Sequence, residues 1–190
     1  KAFAKQFAAN NTLLLCARNE QSLQATVTEI IADEPTTTIF YKVADLSKKD
    51  EAIAFGNWCL QYGSPNVLIN NAGSFLPGSI FNEADGSLEN MIETNLYSAY
   101  HVTRTLLPVM MKSSDMAKHI FNICSIASLQ AYSNGGSYSI SKFAMHGFSK
   151  NLREELKPYQ IKVTSVMPGA VFTDSWAGSG VDEKRIMEAD

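Results

Sequence analysis

The sequence predicts an α/β fold of the doubly wound kind, a parallel sheet with helices on both faces, and three observations carry it. Segments with helical and strand-like periodicity take turns along the chain. The strand-like segments are short and apolar, as strands buried on both faces are. Most turn-forming runs follow a strand, "PGS" (77–79), "NGG" (134–136) and "PG" (168–169) among them, where an open α/β sheet binds its ligands.

The elements follow in order. "KAFAKQFAA" at the start spaces its apolar residues for a helix, and "TLLLCA" is a short apolar run read as a strand. "EQSLQATVTEII" returns to helical spacing, and "TTIFYKVA", rich in β-branched and aromatic residues, reads as the next strand. A helix is expected from about residue 48 to 62, then a strand at "NVLIN", a long helix from about 88 to 111, and a strand at "HIFNICS". A helix beginning near Gly136 and a strand "IKVTSVM" before Pro168 complete the series. Helical crossovers between strands make the sheet parallel and the connections right-handed.

Composition limits what such a fold is for. The 190 residues are 45% hydrophobic and 18% charged, enough apolar material for one globular domain with a core. The formal net charge of −3, without long like-charge runs, gives no footprint for nucleic acid or an anionic membrane. No apolar run approaches the roughly 20 residues of a membrane span, and the N-terminus lacks the zones of a signal peptide, so a cytoplasmic location is expected. Cys16, Cys59 and Cys124 form no C-x-x-C pair and read as buried thiols, and the three histidines are scattered, so no metal is expected.

The chemistry gathers in "GGSYSISKFAMHGFSK" (135–150). Tyr138 and Lys142 lie four apart, on one face of a helix. A free phenol near pKa 10 is a poor acid or base at neutral pH, and lowering it by about three units takes roughly 4 kcal/mol of preferential stabilisation of the phenolate. A neighbouring ammonium, with the positive ring of an oxidised nicotinamide, would supply that, and such a tyrosine can protonate a carbonyl oxygen as hydride reaches its carbon. The pair alone also fits ordinary helix neighbours. Upstream, however, "NICSIAS" ends a strand at Ser125, which would deliver a hydroxyl to the same crevice and hold a substrate oxygen there. Ser128 is second choice, because it falls beyond the expected strand.

In these residues the chain resembles the short-chain dehydrogenase/reductase family in its compact, single-domain form, with a Rossmann-like sheet. The resemblance runs through nearly all of the chain. It rests on "NNAG" (70–73), "TNL" with Asn95, Ser125, "YSISK" with Tyr138 and Lys142, and "PGAVFT" (168–173), in this order and spacing. A sheet of that kind starts with a strand and a glycine-rich turn, whereas this chain begins inside a helix and contains no G-x-G-x-x-G. Residues 1–190 are therefore expected to be a single dinucleotide-binding catalytic domain, incomplete at both ends, with that first strand and turn missing.

The resemblance implies a role for each matching position. Tyr138 would be the catalytic acid/base and Ser125 would position the substrate oxygen. Lys142 would bind the nicotinamide ribose and lower the Tyr138 pKa, and Asn95 would complete the tetrad by supporting a water in a proton relay. Asn71, Ala72 and Gly73 would lie against the adenosine side of the cofactor, Asp45 with the adjoining Leu46 against its adenine, and Pro168, Gly169, Val171 and Thr173 about the nicotinamide. Arg18 stands at the end of a strand where NAD-preferring relatives carry an acidic residue, and its guanidinium suits a 2′-phosphate, which favours NADP over NAD.

The substrate would be lined by Phe75 and Leu76, by Leu129 and Tyr132, and by Phe172 and Trp176, an apolar and aromatic set that suits a hydrophobic carbonyl compound. "PGAVFTDSW" is similar to sepiapterin-reductase-like members, which points to a pterin side-chain ketone or a diketone, with 3-oxoacyl thioesters as the rival. The reading is an NADP-dependent reductase interconverting a carbonyl and an alcohol. Its alternatives are a catalytically silent nucleotide-sensing regulator and a nucleotide-sugar epimerase or dehydratase. The resemblance also implies a homodimer or homotetramer.

Overall fold

The computed structural model describes residues 1–112 and 116–170. Its elements alternate as the periodicity requires: α1 (Ala2–Gln6), β1 (Thr12–Ala17), α2 (Glu20–Asp33), β2 (Thr38–Val43), α3 (Lys49–Leu60), β3 (Val67–Asn70), α4 (Ser87–Ile92), α5 (Ser98–Met110), β4 (Lys118–Ile123), α6 (Gly136–Glu155) and β5 (Ile161–Val166). Every strand pairing is parallel.

Two differences from the expected layout have physical causes. The helix read over 88–111 is α4 and α5 joined by a π turn, Glu93–Tyr97, in which Asn95 is pulled into the protein by hydrogen bonds to Ser74 and Ser141. The first helix stops at Gln6, and Asn10 turns the chain with φ 60°. Among the described residues the strands form two hydrogen-bonded parallel sheets, β1–β2 and β3–β4–β5. A common core joins them: Leu14 and Cys16 of β1 and Leu68 of β3 pack against the same cluster, built on Phe55, Val102, Leu106, Met110, Ile120 and Leu152. Periodicity reports which faces of a strand are buried and says nothing about its neighbour.

Beneath the carboxyl ends of the three-stranded sheet lies a buried polar ladder. Asn70, Asn122 and Ser165 stand in register across β3, β4 and β5. Asn70 donates to Thr103 of α5 (3.0 Å) and to Asn122 (2.8 Å), while Asn122 and Ser165 both donate to Ser149 of α6 (2.9 and 2.7 Å). Each buried polar group is satisfied by another, which fixes both helices on the sheet. Cys59 and Cys124 are buried and Cys16 partly so; burial pushes the Cys16 thiol up to about 11 and Cys59 up to about 12. No helix among the described residues is long and apolar enough to cross a membrane.

Candidate active site

Parallel strands send all their carboxyl ends to one edge, and the loops there carry the expected site residues. Ser125 follows β4 by two residues, in extended backbone (φ −166°, ψ 162°), and caps a short 3-10 turn, Ile126–Ser128. Its hydroxyl accepts from the Ala127 N–H and its own N–H donates to the Ser128 hydroxyl, both at 3.1 Å. Ser128, the second choice, is thus the residue that orients Ser125, and at 1% exposure it lies out of reach of a substrate.

Tyr138 and Lys142 stand in the first turns of α6, where the Ser125 hydroxyl acts on the Tyr138 phenol. The Lys142 ammonium lies 5.8 Å from the centre of the phenol ring and donates to the Ile123 carbonyl at 2.9 Å. Burial lowers the Lys142 pKa, with Cys124 acting the other way. Without a cofactor, Lys142 is not among the groups that set the Tyr138 pKa. Burial raises the Tyr138 pKa, the Ser125 hydrogen bond lowers it in part, and Cys124 raises it.

Asn95 is 1% exposed. Its carbonyl oxygen accepts from the Ser74 N–H at 2.7 Å, and its amide donates to the Ser74 carbonyl (3.1 Å) and the Ser141 hydroxyl (2.9 Å). With its side chain so committed, Asn95 fastens the loop after β3 to α6. Ser141 in turn donates to the Tyr138 carbonyl at 2.7 Å. Sequence reasoning missed Ser141, and the only signal was the run of hydroxyls in "SYSISK", of which Ser137, Ser139 and Ser141 are all buried.

Asn71, Ala72 and Gly73 form the exposed start of that loop. A Cβ on Gly73 would stand 3.1 Å from the Asn95 carbonyl oxygen and 3.6 Å from the Lys142 nitrogen, so glycine is what lets the loop lie against the tetrad. Phe75 presses edge-on against Tyr138, ring centres 4.8 Å apart. Leu76, Leu129 and Tyr132 are exposed, and the Tyr132 hydroxyl is pushed up to about 12 by burial and by Tyr138 nearby. Pro168 and Gly169 follow β5, with the Pro168 carbonyl accepting from the Ile126 N–H at 3.0 Å. Val171, Phe172, Thr173 and Trp176 lie outside the described residues.

Arg18 and Asp45 follow β1 and β2, on the other sheet. Burial raises the Asp45 carboxyl, but hydrogen bonds from Ser47 and the charges of Arg18 and Lys48 outweigh it and hold the group below the usual range. Leu46, expected against adenine, is partly buried against the main core. A separate cleft of about 600 Å³, lined by Ser47, Lys49, Glu93, Tyr100 and His101 among others, includes none of the four tetrad residues.

The family model for short chain dehydrogenases matches residues 1–184. The chain belongs to that family. An uncharacterized oxidoreductase of Bacillus subtilis is 31% identical over 78% of this chain, which spans 52% of the relative's length. Among solved structures, a short-chain dehydrogenase from Sphingobium yanoikuyae in complex with NADPH superposes with a TM-score of 0.86 at 24% identity, covering 98% of this chain and 72% of its own. An actinorhodin polyketide ketoreductase variant with NADPH gives a TM-score of 0.76 at 31% identity, covering 83% and 60%. The chain thus spans about half to three quarters of the length of these three proteins.

Proposed function

We propose that the full-length protein is an NADP(H)-dependent oxidoreductase that interconverts an apolar or aromatic ketone and its alcohol. One observation carries the reading: Tyr138 and Lys142 stand on one face of α6 with the ammonium 5.8 Å from the phenol ring, and the Ser125 hydroxyl acts on the phenol from the end of β4, lowering its pKa in part. The family membership and the two NADPH-containing neighbours support the choice of cofactor.

The described residues fit such a group. An exposed backbone run at Asn71–Gly73 leads to the lysine, and the place of the missing Gly73 Cβ brings Asn95 and Lys142 together. Lys142 would hold the ribose hydroxyls, Asn71–Gly73 the adenosine side, Asp45 the adenine, Pro168 and Gly169 the nicotinamide, and Arg18 the 2′-phosphate. The bound nicotinamide would supply or accept hydride at the substrate carbon.

In the reduction direction the raised Tyr138 pKa keeps its proton on the phenol oxygen at neutral pH, ready for the carbonyl oxygen. The Ser125 hydroxyl, turned by Ser128, would share that oxygen and stabilise its developing charge. Phe75 walls the tyrosine on one side and excludes water, and with Leu76, Leu129 and Tyr132 it favours an apolar substrate. The outward Tyr100, Ile140 and Phe143 of α5 and α6 suit a homodimer or homotetramer.

NADPH absorbance is followed with the full-length protein against aromatic ketones, diketones, pterins and 3-oxoacyl thioesters, with Tyr138→Phe beside it. The expected result is steady NADPH loss that falls at least about 10²-fold in the variant. Binding of NADPH with no turnover of any of these would favour a nucleotide-sensing role instead.

A further inference from the structure

The turn "NGG" before Tyr138 has a structural use that the chemistry above does not explain. α6 begins without a cap of its own: Gly135 precedes it with no side chain to accept from the first free amides. The acceptor comes from the loop after β3. Glu83 takes the Ser137 N–H at 2.8 Å on one carboxylate oxygen and the Ser137 hydroxyl proton on the other. The negative charge also suits the positive end of a helix of 20 residues.

Glycine makes the contact possible. Gly136 has φ 36°, and a Cβ there would stand 1.8 Å from the Glu83 oxygen and 2.4 Å from the Gly78 carbonyl. Two further bonds run beside it: the Gly78 N–H to the Asn134 carbonyl (3.1 Å), and the Ser79 hydroxyl to the Asn134 side-chain oxygen (2.6 Å). Asn134 is itself left-handed, at φ 62°. Ile80 and Phe81 are 77% and 88% exposed, so the loop is not held by burying its own apolar residues at that point. The same loop brings Phe75 edge-on to Tyr138.

We infer that Glu83 is a positioning residue for Tyr138: its carboxylate clasps the start of α6 to the loop 74–86, and so sets both the tyrosine and the aromatic wall against which a substrate lies. Its effect passes through Ser137, and Glu83 itself touches no reacting atom. The inference rests on the proposed carbonyl chemistry for its kinetic consequence and on the geometry alone for the coupling of loop and helix.

Two measurements on the full-length protein test it. Without cofactor, hydrogen exchange is compared between wild type and Glu83→Ala. Protection should fall in the peptides covering 74–86 and 134–142 together, with the core strands unchanged; unaltered protection, or loss in the loop alone, would overturn the coupling whatever the protein's reaction is. With a substrate that the wild type turns over, Glu83→Ala should lower kcat by about 10- to 100-fold while NADPH affinity stays the same. Glu83→Gln, which keeps one acceptor for the Ser137 amide, should recover most of the loss. Gly136→Ala attacks the clasp from the other side, and combined with Glu83→Ala should cost no more than the worse single change. If Gly136→Ala does not fold, the Ala and Gln variants at Glu83 decide. Unchanged kcat in Glu83→Ala, or additive losses, would refute the positioning role, whereas a wild type that reduces no carbonyl refutes the proposed function and leaves the exchange result standing.

Discussion

Tyr138 shows how little of its reactivity resides in its own four-residue neighbourhood. Burial raises its pKa and Ser125 offsets part of that, so in the free protein the phenol titrates above the ordinary value of 10. The folded state then binds more protons than the unfolded one from pH 10 upward, so this residue's contribution to stability is whole below pH 10 and lost as pH rises through its folded pKa. A spectrophotometric titration of wild type minus Tyr138→Phe, without cofactor, should accordingly show a phenolate midpoint above pH 10. Phenolate at pH 7–8 would mean that Lys142 acts on the oxygen across a shorter distance than the structure shows. The lysine has a cost of its own, since its charge is held at 6% exposure with the Ile123 carbonyl as a partner. Retaining such a charge beside the tyrosine fits a group kept for ligand binding rather than for stability.

At the scale of elements, the β3–β4–β5 sheet and helices α5 and α6 are held in relative position by the Asn70, Asn122, Thr103, Ser149 and Ser165 ladder. Asn122→Leu keeps the branching and heavy-atom count of the side chain, removes the acceptor of one Asn70 proton and the donor to Ser149, and should lower stability by about 1–3 kcal/mol. A urea midpoint measured with unchanged slope checks it, and an unmoved midpoint would mean that the ladder is neutral. Ser125, Tyr138 and Lys142 were legible in the sequence because their chemistry depends on residue type and on spacing along one strand end and one helix. The π turn was not, because its cause is a contact from Asn95 to Ser74, a residue 21 positions away. Ser141 and Glu83 were hidden for the same reason: a serine in a helix and a glutamate in a loop are ordinary until the fold brings a partner to them.

For the whole molecule, the expected ligand contacts are divided between the sheets. Arg18 and Asp45 leave the ends of β1 and β2, while Asn71–Gly73, Ser125 and Pro168 leave the ends of β3, β4 and β5. Between the sheets run side-chain contacts of a shared core and no strand hydrogen bonds. A dinucleotide that engages both ends would bind the folded state alone and add its free energy to global stability, about 2.7 kcal/mol at a hundred times Kd. On the proposed function the exposed Arg18 guanidinium would attract a 2′-phosphate, although it shares its charge with Asp45, whose carboxyl it helps to hold low. At equal concentrations NADPH should therefore raise the unfolding temperature of the full-length protein more than NADH does. Arg18→Glu should reverse that order by repelling the phosphate and offering a carboxylate to the ribose hydroxyls. Thermal unfolding with each nucleotide reads both effects. Equal shifts in wild type that are unaltered by Arg18→Glu would move the choice of cofactor away from this strand end.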